Sequence, residues 1–241
     1  MNGTIRIGTS GWHYAHWYGT FYPHTVRKSR MLEYYRQKFN TVEINNSFYR
    51  LPDKKTFAAW KDTAGPGFCF AVKAGRYITH MKKLKDAAAP LSAFLENAAA
   101  QEENMGPELF QLPPRWKINP DRLREFLRLL PGGVRSAFEF RDQSWFENEV
   151  YSALHAFNAA FCIYQLGGLA SPREVTADFV YIRLHGPGGK YRGSYDTRTL
   201  EDWAQAVGTW CAQGKDVYCY FDTDQAGYAA QNALTLQVML R

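Results

Sequence analysis

Glu43, Glu139, His185 and Asp222 are the residue types of general acid–base chemistry, and each sits at or just past the end of a short oily run. Such groups do this work when their neighbours set their pKa values near the working pH. Lys73, Arg141 and Arg183 can hold an anion, and Asn45 and Gln111 can orient it through hydrogen bonds. Trp12, Tyr49, Tyr191 and Tyr195 lie in the segments that follow such runs. There an amphipathic ring stacks on a sugar or base and keeps its OH or NH as a handle.

The spacing predicts that these groups meet. Val42 and Ile44 alternate with Glu43 and Asn45; Phe138 and Phe140 alternate with Glu139 and Arg141; Val180, Ile182 and Leu184 alternate with Tyr181, Arg183 and His185. Successive strand side chains point to opposite faces, so each run has an oily face and a face ending in reactive groups. The inward phase collects Arg6, Glu43, Asn45, Lys73, Gln111, Glu139, Arg141, Arg183 and His185, and Asp222 ends the phase that carries Tyr218 and Tyr220. A lone buried charge is costly, so these groups must pair with one another or with a ligand. Arg6, Lys73, Arg141 and Arg183 against Glu43, Glu139 and Asp222 make four cations to three anions, a balance that leans toward an anionic ligand.

Strand patterns at 4–8, 41–45, 68–73, 107–112, 134–140, 159–165, 178–184 and 216–222 alternate with helical periodicity. Leu32, Tyr35 and Phe39 share a helical face with Ser29 as an N-cap, and a second helix follows Pro52-Asp53 with Phe57 and Trp60 buried. A third runs over about 90–104, a fourth carries Leu123, Phe126, Leu127 and Leu130, and a fifth covers about 145–157. Leu200, Trp203, Ala204, Val207 and Trp210 mark another, and the last begins near Gly227. From Gly167-Gly168 to Glu174 the pattern breaks, which predicts an irregular or missing helix after the sixth strand. About eight strand–helix units in roughly 250 residues imply an α/β fold, a (β/α)8 TIM barrel forming one domain over 1–241. Gly8-Thr9-Ser10-Gly11-Trp12 lacks the glycine fingerprint of a doubly wound nucleotide-binding sheet. In the barrel the polar groups gather at the C-terminal mouth, where active sites of this fold are built. The stretch Gly186-Pro187-Gly188-Gly189-Lys190-Tyr191-Arg192-Gly193 is expected to offer backbone N–H groups and two cations to an oxyanion.

Composition narrows the field. The chain has 241 residues, 46% of them hydrophobic, and a net charge of +6. Its basic residues are scattered, so nucleic acid is permitted as a partner but not favoured. No apolar run approaches a membrane span and the first residues lack an apolar signal region, so a cytoplasmic protein without a membrane partner is expected. Cys69, Cys162, Cys211 and Cys219 form no C-x-x-C pair and read as reduced core thiols. His13, His16 and His24 have no diagnostic ligand spacing, so no metal ligand is assigned. There is no linker or internal repeat, and oligomeric state is not encoded in any pattern here.

Several of these segments together resemble a known family. They are Gly8-Thr9-Ser10-Gly11-Trp12, Trp17, Phe21-Tyr22-Pro23, Val42 to Arg50, Phe70-Ala71-Val72-Lys73 and Ile78-Thr79-His80. Phe110 to Pro114, Glu139-Phe140-Arg141, Ser144-Trp145, Arg183-Leu184-His185-Gly186, Tyr191, Gly193, Tyr195, Tyr220 to Asp224, Gly227 and Asn232-Ala233 complete the series. In this order they are similar to domain-of-unknown-function family 72, the YecE-like proteins. The resemblance implies a TIM barrel and a site at its mouth, with no established activity. Where that family often carries Asn-Asn-Asp after the last strand, this chain has Asp222-Thr223-Asp224.

The leading expectation is an enzyme acting on a small anionic substrate, phosphorylated or sugar-like, by hydrolase- or isomerase/lyase-type acid–base chemistry. Glu43 and Glu139 are the acid/base pair, His185 shuttles a proton, and Lys73, Arg141 and Arg183 hold the anion. A metal-dependent phosphodiesterase or repair-type nuclease is the alternative, with Glu43, Glu139, His185 and Asp222 supplying ligands to a divalent metal as cofactor. A non-catalytic nucleotide- or sugar-binding module is the third reading.

Overall fold

In the computed structural model, which describes residues 2–189, 191–223 and 225–241, the alternating runs are strands whose oily phase packs under helices. Among the described residues there are nine strands. They are β1 (Ile5–Thr9), β2 (Thr41–Ile44), β3 (Cys69–Lys73), β4 (Met105–Gln111), β5 (Ser136–Glu139), β6 (Ala160–Leu166), β7 (Leu169–Ala170), β8 (Phe179–Leu184) and β9 (Asp216–Phe221). The order β1-β9-β8-β6-β5-β4-β3-β2 is parallel throughout, and β7 folds back antiparallel on β6. A bridge between Ser10 and Glu43 and a 2.8 Å bond from Gly11 N to Glu43 O bring β1 beside β2. Gly8 permits that approach, because a Cβ there would lie 2.2 Å from the Thr41 carbonyl oxygen. The result is a nearly closed eight-stranded parallel barrel.

Helices α1 (Met31–Tyr35), α2 (Lys54–Ala64), α3 (Ala88–Ala98), α4 (Pro120–Leu127), α5 (Asn148–Ala156), α6 (Thr197–Ala212) and α7 (Tyr228–Met239) surround it. Asp53, Asn119 and Asp196 cap α2, α4 and α6 by accepting a backbone N–H. Ser29 caps nothing; it lies inside a short 3-10 turn, Lys28–Arg30, that runs directly into α1. The helix expected over 90–104 is α3 followed by a 3-10 segment, Ala99–Asn104, broken where Glu102 takes φ 48. Among the described residues no helix lies between β6 and β8. The segment past β7 instead lays Ser171 and Thr176 along that strand, where their hydroxyls accept from Tyr164 N and Phe161 N at 2.8 Å each.

The two phases separate as the alternation requires. Val42, Ile44, Phe138, Phe140, Val180, Ile182 and Leu184 join the outer core against the helices. Tyr181, Tyr218 and Tyr220 pack in a second, inner cluster with Ala71, Ala137, Ala160, Cys162 and Leu109. Large rings from β8 and β9 thus fill the space left by small residues across the barrel. All four cysteines are free, three of them buried. Among the described residues no helix is long and apolar enough to cross a membrane.

Candidate active site

Above the tyrosines lies a charged layer centred on Arg183, which is fully buried. Its Nε and Nη2 donate to the two oxygens of Glu43 at 2.9 and 2.8 Å, Nη1 to Glu139 Oε2 at 2.6 Å and Nη2 to Asp222 Oδ2 at 3.0 Å. Glu43 is further satisfied by Ser10 Oγ at 2.6 Å and Tyr181 Oη at 2.7 Å, and Glu139 by Gln111 Nε2 at 3.1 Å and Arg141 Nε. Burial alone would raise the Glu139 and Asp222 pKa values. For Glu139, Arg141 and Arg183 outweigh burial and hold it well below the usual range. For Asp222, Arg183 and His185 likewise outweigh burial and lower it. Burial also opposes the charge on Arg183, yet its carboxylates hold its pKa well above the ordinary value.

His185 closes the layer. Its Nε2 lies 3.2 Å from Arg141 Nη2 and 3.3 Å from Arg183 Nη1, and its Nδ1 3.0 Å from Asp222 Oδ2. A guanidinium can only donate, so Nε2 accepts and Nδ1–H donates to Asp222. Both ring nitrogens are engaged and the residue is fully buried, which removes the free nitrogen a proton shuttle needs. Glu43 and Glu139 are fully buried as well, with every oxygen bonded, so as a pair they are the floor of the mouth and not its acid and base. Tyr181 is part of that floor: Tyr181→Phe should cost about 1–3 kcal/mol in denaturant unfolding, because it withdraws a donor from a buried carboxylate.

The solvent-facing part of the mouth is a cavity of about 280 Å³ lined by Tyr14, Asn45, Phe48, Tyr49, Lys73, Tyr191 and Asp222. Lys73 ends β3, with its carbonyl accepting from Ser47 Oγ at 2.6 Å and its ammonium 4.3 Å from the centroid of Phe48. The residue is 8% exposed, and its Nζ has no hydrogen bond or ion pair among the described residues. Burial, then the Arg183 charge, lower its pKa to about 8. Asn45 Oδ1 faces the same situation, buried without a donor. Asp222 spends Oδ2 on Arg183 and His185, and Oδ1 has no partner among the described residues. Tyr191, at φ 61, sets its ring 5.6 Å from that of His185, and burial raises its phenol pKa. An apolar groove of about 380 Å³ shares Phe48 and Tyr49 with the mouth and continues over Tyr77 and Met81.

Of the residues expected in the site, Glu43, Gln111, Glu139, Arg141, Arg183, His185 and Asp222 come together in the network, and Asn45, Tyr49, Lys73, Tyr191 and Asp222 line the cavity. Trp12 does not wall it: that ring is buried in the outer core against Trp60 and Phe70. Tyr195 is a loop pin, its hydroxyl accepting from Gly186 N at 2.9 Å while its ring packs on Phe221. Arg6 lies at the opposite end of the barrel and donates to the Asn40 and Gly67 carbonyls. Among the described residues the mouth therefore holds Lys73, Arg141 and Arg183 against Glu43, Glu139 and Asp222, three to three, without the expected excess of cations. The glycine stretch after β8 spends most of its donors internally: the N–H groups of Gly186, Gly188, Tyr191, Arg192 and Gly193 bond inside the loop or to Gln225. Arg192 is exposed, and Lys190 and Asp224 fall outside the described residues.

Sequence patterns gave no site role to Ser10, Tyr14 or Phe48, and placed Tyr181 on the reactive phase without assigning it one. Ser10 and Tyr181 share the inward phases of Arg6 and Arg183, so strand phase held a signal for both. The metal reading fits poorly. Among the described residues no three His, Cys, Asp or Glu side chains are grouped to hold an ion, and the Arg183 guanidinium occupies the point on which Glu43, Glu139 and Asp222 converge.

Comparison with known proteins places this geometry. Residues 6–241 match the family described as "Protein of unknown function DUF72". The UPF0759 protein YunF of Bacillus subtilis (strain 168) is 26% identical over 273 residues, covering 98% of this chain and 94% of that protein. The crystal structure of a DUF72 family protein from Thermotoga maritima superposes with a TM-score of 0.88 at 27% identity, over 98% of this chain and 99% of that one. A D-psicose 3-epimerase from Clostridium cellulolyticum H10 shares the barrel alone, with a TM-score of 0.57 at 13% identity over 98% of each chain.

Proposed function

We propose, for a chain that belongs to the DUF72 family of proteins of unknown function, that the barrel mouth is the active site of an enzyme for a small, hydroxylated, anionic substrate of sugar-like size. One observation carries this reading. A cationic donor on a buried residue, Lys73 Nζ, and a buried acceptor, Asn45 Oδ1, both lack partners among the described residues and line one cavity. Unmet buried polar groups are costly, so a ligand that supplies an electron-rich oxygen to the first and a hydroxyl to the second satisfies both. Tyr14, Phe48, Tyr49 and Tyr191 provide faces against which C–H surfaces of such a molecule pack.

Within this reading the acid–base work moves to the cavity wall. Asp222 stays ionised and presents Oδ1 as the base, while His185 and Arg183 fix its other oxygen. Tyr191, with its pKa raised, keeps its proton and is the donor. Arg183, Glu43 and Glu139 hold this wall in place.

The test is a thermal-shift screen of phosphorylated sugars, sugar acids and neutral sugars. Anionic compounds should raise Tm, and Lys73→Met and Asn45→Ala should each remove at least nine-tenths of the affinity. Equal shifts from neutral sugars, or full affinity in both variants, would sink the reading. A preference for duplex DNA with steep salt dependence would favour the nuclease alternative.

A further inference from the structure

We infer that Lys73 is a carbonyl-reactive amine, and that the substrate is a small hydroxylated aldehyde or ketone which it captures as a Schiff base. The inference rests on the proposed site and narrows its substrate class. An ammonium that only binds an anion is normally exposed or flanked by carboxylates. Lys73 is 8% exposed, its Nζ has no carboxylate within ion-pair distance among the described residues, and it rests on an aromatic face in the wall of a cavity wide enough for a few-carbon molecule. Desolvation of this kind is how a lysine becomes a nucleophile near neutral pH. With a pKa of about 8, about a quarter of the groups are free amine at pH 7.5, against well under 1% for an ordinary lysine.

The step balances with the groups lining the cavity. The Lys73 nitrogen lone pair forms an N–C bond to the carbonyl carbon, and the C=O π pair moves to oxygen. Asp222 Oδ1 carries the proton released from nitrogen to that oxygen, giving a carbinolamine. Tyr191 protonates the departing hydroxyl, and the C–O bond breaks to release water and leave a protonated imine on Lys73. Solvent then reprotonates Tyr191, returning the proton that the Lys73 ammonium released to it on becoming the free amine. The net reaction is a carbonyl plus an ammonium giving an iminium and water, with no oxidant or reductant. Arg183 opposes the positive charge on this nitrogen, while Glu139, Asp222 and Glu43 each favour it.

Trapping of the full chain with sodium cyanoborohydride in the presence of dihydroxyacetone phosphate, followed by peptide mapping, tests the idea. The expected result is a stable adduct on the peptide containing Lys73, at least tenfold above any other lysine, with a rate that rises through pH 8. Lys73→Arg, which keeps the charge, should lose that adduct while the fold stays intact by circular dichroism. Labelling spread evenly over lysines, or no adduct on Lys73 while the phosphorylated compound still raises Tm, overturns the covalent step and leaves the proposed site standing. No adduct and no Tm shift from any anionic or carbonyl compound overturns both. Because the wild-type peptide map locates the label, the result does not depend on the variant folding.

Discussion

Replacing Arg183 by Met is expected to lower the unfolding free energy at pH 7 by about 3–5 kcal/mol, because it strands buried carboxylates whose shared cation has gone. Met matches the length of the arginine stem and leaves no gross cavity, so the loss reports charge and not packing. Arg141 still reaches Glu139, but Glu43 keeps only the neutral donors Ser10 and Tyr181. The pH dependence separates this cause from misfolding. In the native chain, Glu139 and Asp222 have folded pKa values below their unfolded ones. Their contribution is complete above the unfolded pKa values, near 4, and is lost as pH falls through the folded values. In the variant, burial without the guanidinium raises the folded pKa values above the unfolded ones. The folded state then takes up protons as pH falls from 7 toward 5, and the variant gains stability. Guanidinium denaturation at pH 7 and pH 5 should therefore show the deficit shrinking toward lower pH. A variant within 1 kcal/mol of the native chain at both pH values would mean the network is not what holds the mouth together.

The barrel was legible because its two faces have different compositions. Val180, Ile182 and Leu184 against Tyr181, Arg183 and His185 allow one strand phase and one burial pattern, and the eight strands were located within a residue or two. The break after β6 was legible from Gly167-Gly168 and the loss of periodicity up to Glu174. Local cues were less dependable where tertiary contacts compete: Ser29 has a capping side chain, but the chain enters α1 through a 3-10 turn that needs none. Within the site, phase identified which side chains face inward but not their height along the barrel axis. Arg6 and Arg183 share an inward phase, yet one closes the bottom and the other centres the mouth. Nor does phase separate groups that satisfy each other from groups left open to a ligand. Glu43 and Glu139 look as reactive in the sequence as Asp222, and only the positions of the Arg183 nitrogens show that their oxygens are spent. Trp12 and Tyr195 sit in loops rich in rings, where the choice between pocket wall and buried core is made by distant residues such as Trp60 and Phe221.

Lys73→Met is expected to stabilise the folded chain at neutral pH while removing ligand binding, the opposite sign from Arg183→Met. Lys73 has a pKa near 8 against an ordinary 10.5, and that gap corresponds to about 3 kcal/mol. Because the folded pKa lies below the unfolded one, the unfolded chain binds more protons between the two values. Stability contributed by this group therefore rises as pH climbs from about 8 to about 10.5, and below 8 the charged form carries the full burial cost. Methionine keeps the stem and its contact with Phe48 and removes the charge. The gain on substitution should reach up to about 3 kcal/mol at pH 7 and fade toward zero near pH 10.5. The difference between native and variant unfolding free energies, followed by urea titration from pH 7 to 10, isolates this group from the buried tyrosines, which titrate in both proteins. A gain with that pH profile means the native chain keeps a destabilising amine in its mouth, as sites that need reactivity do. A loss at pH 7 would mean that Lys73 is a structural cation, and the site would have to be sought elsewhere.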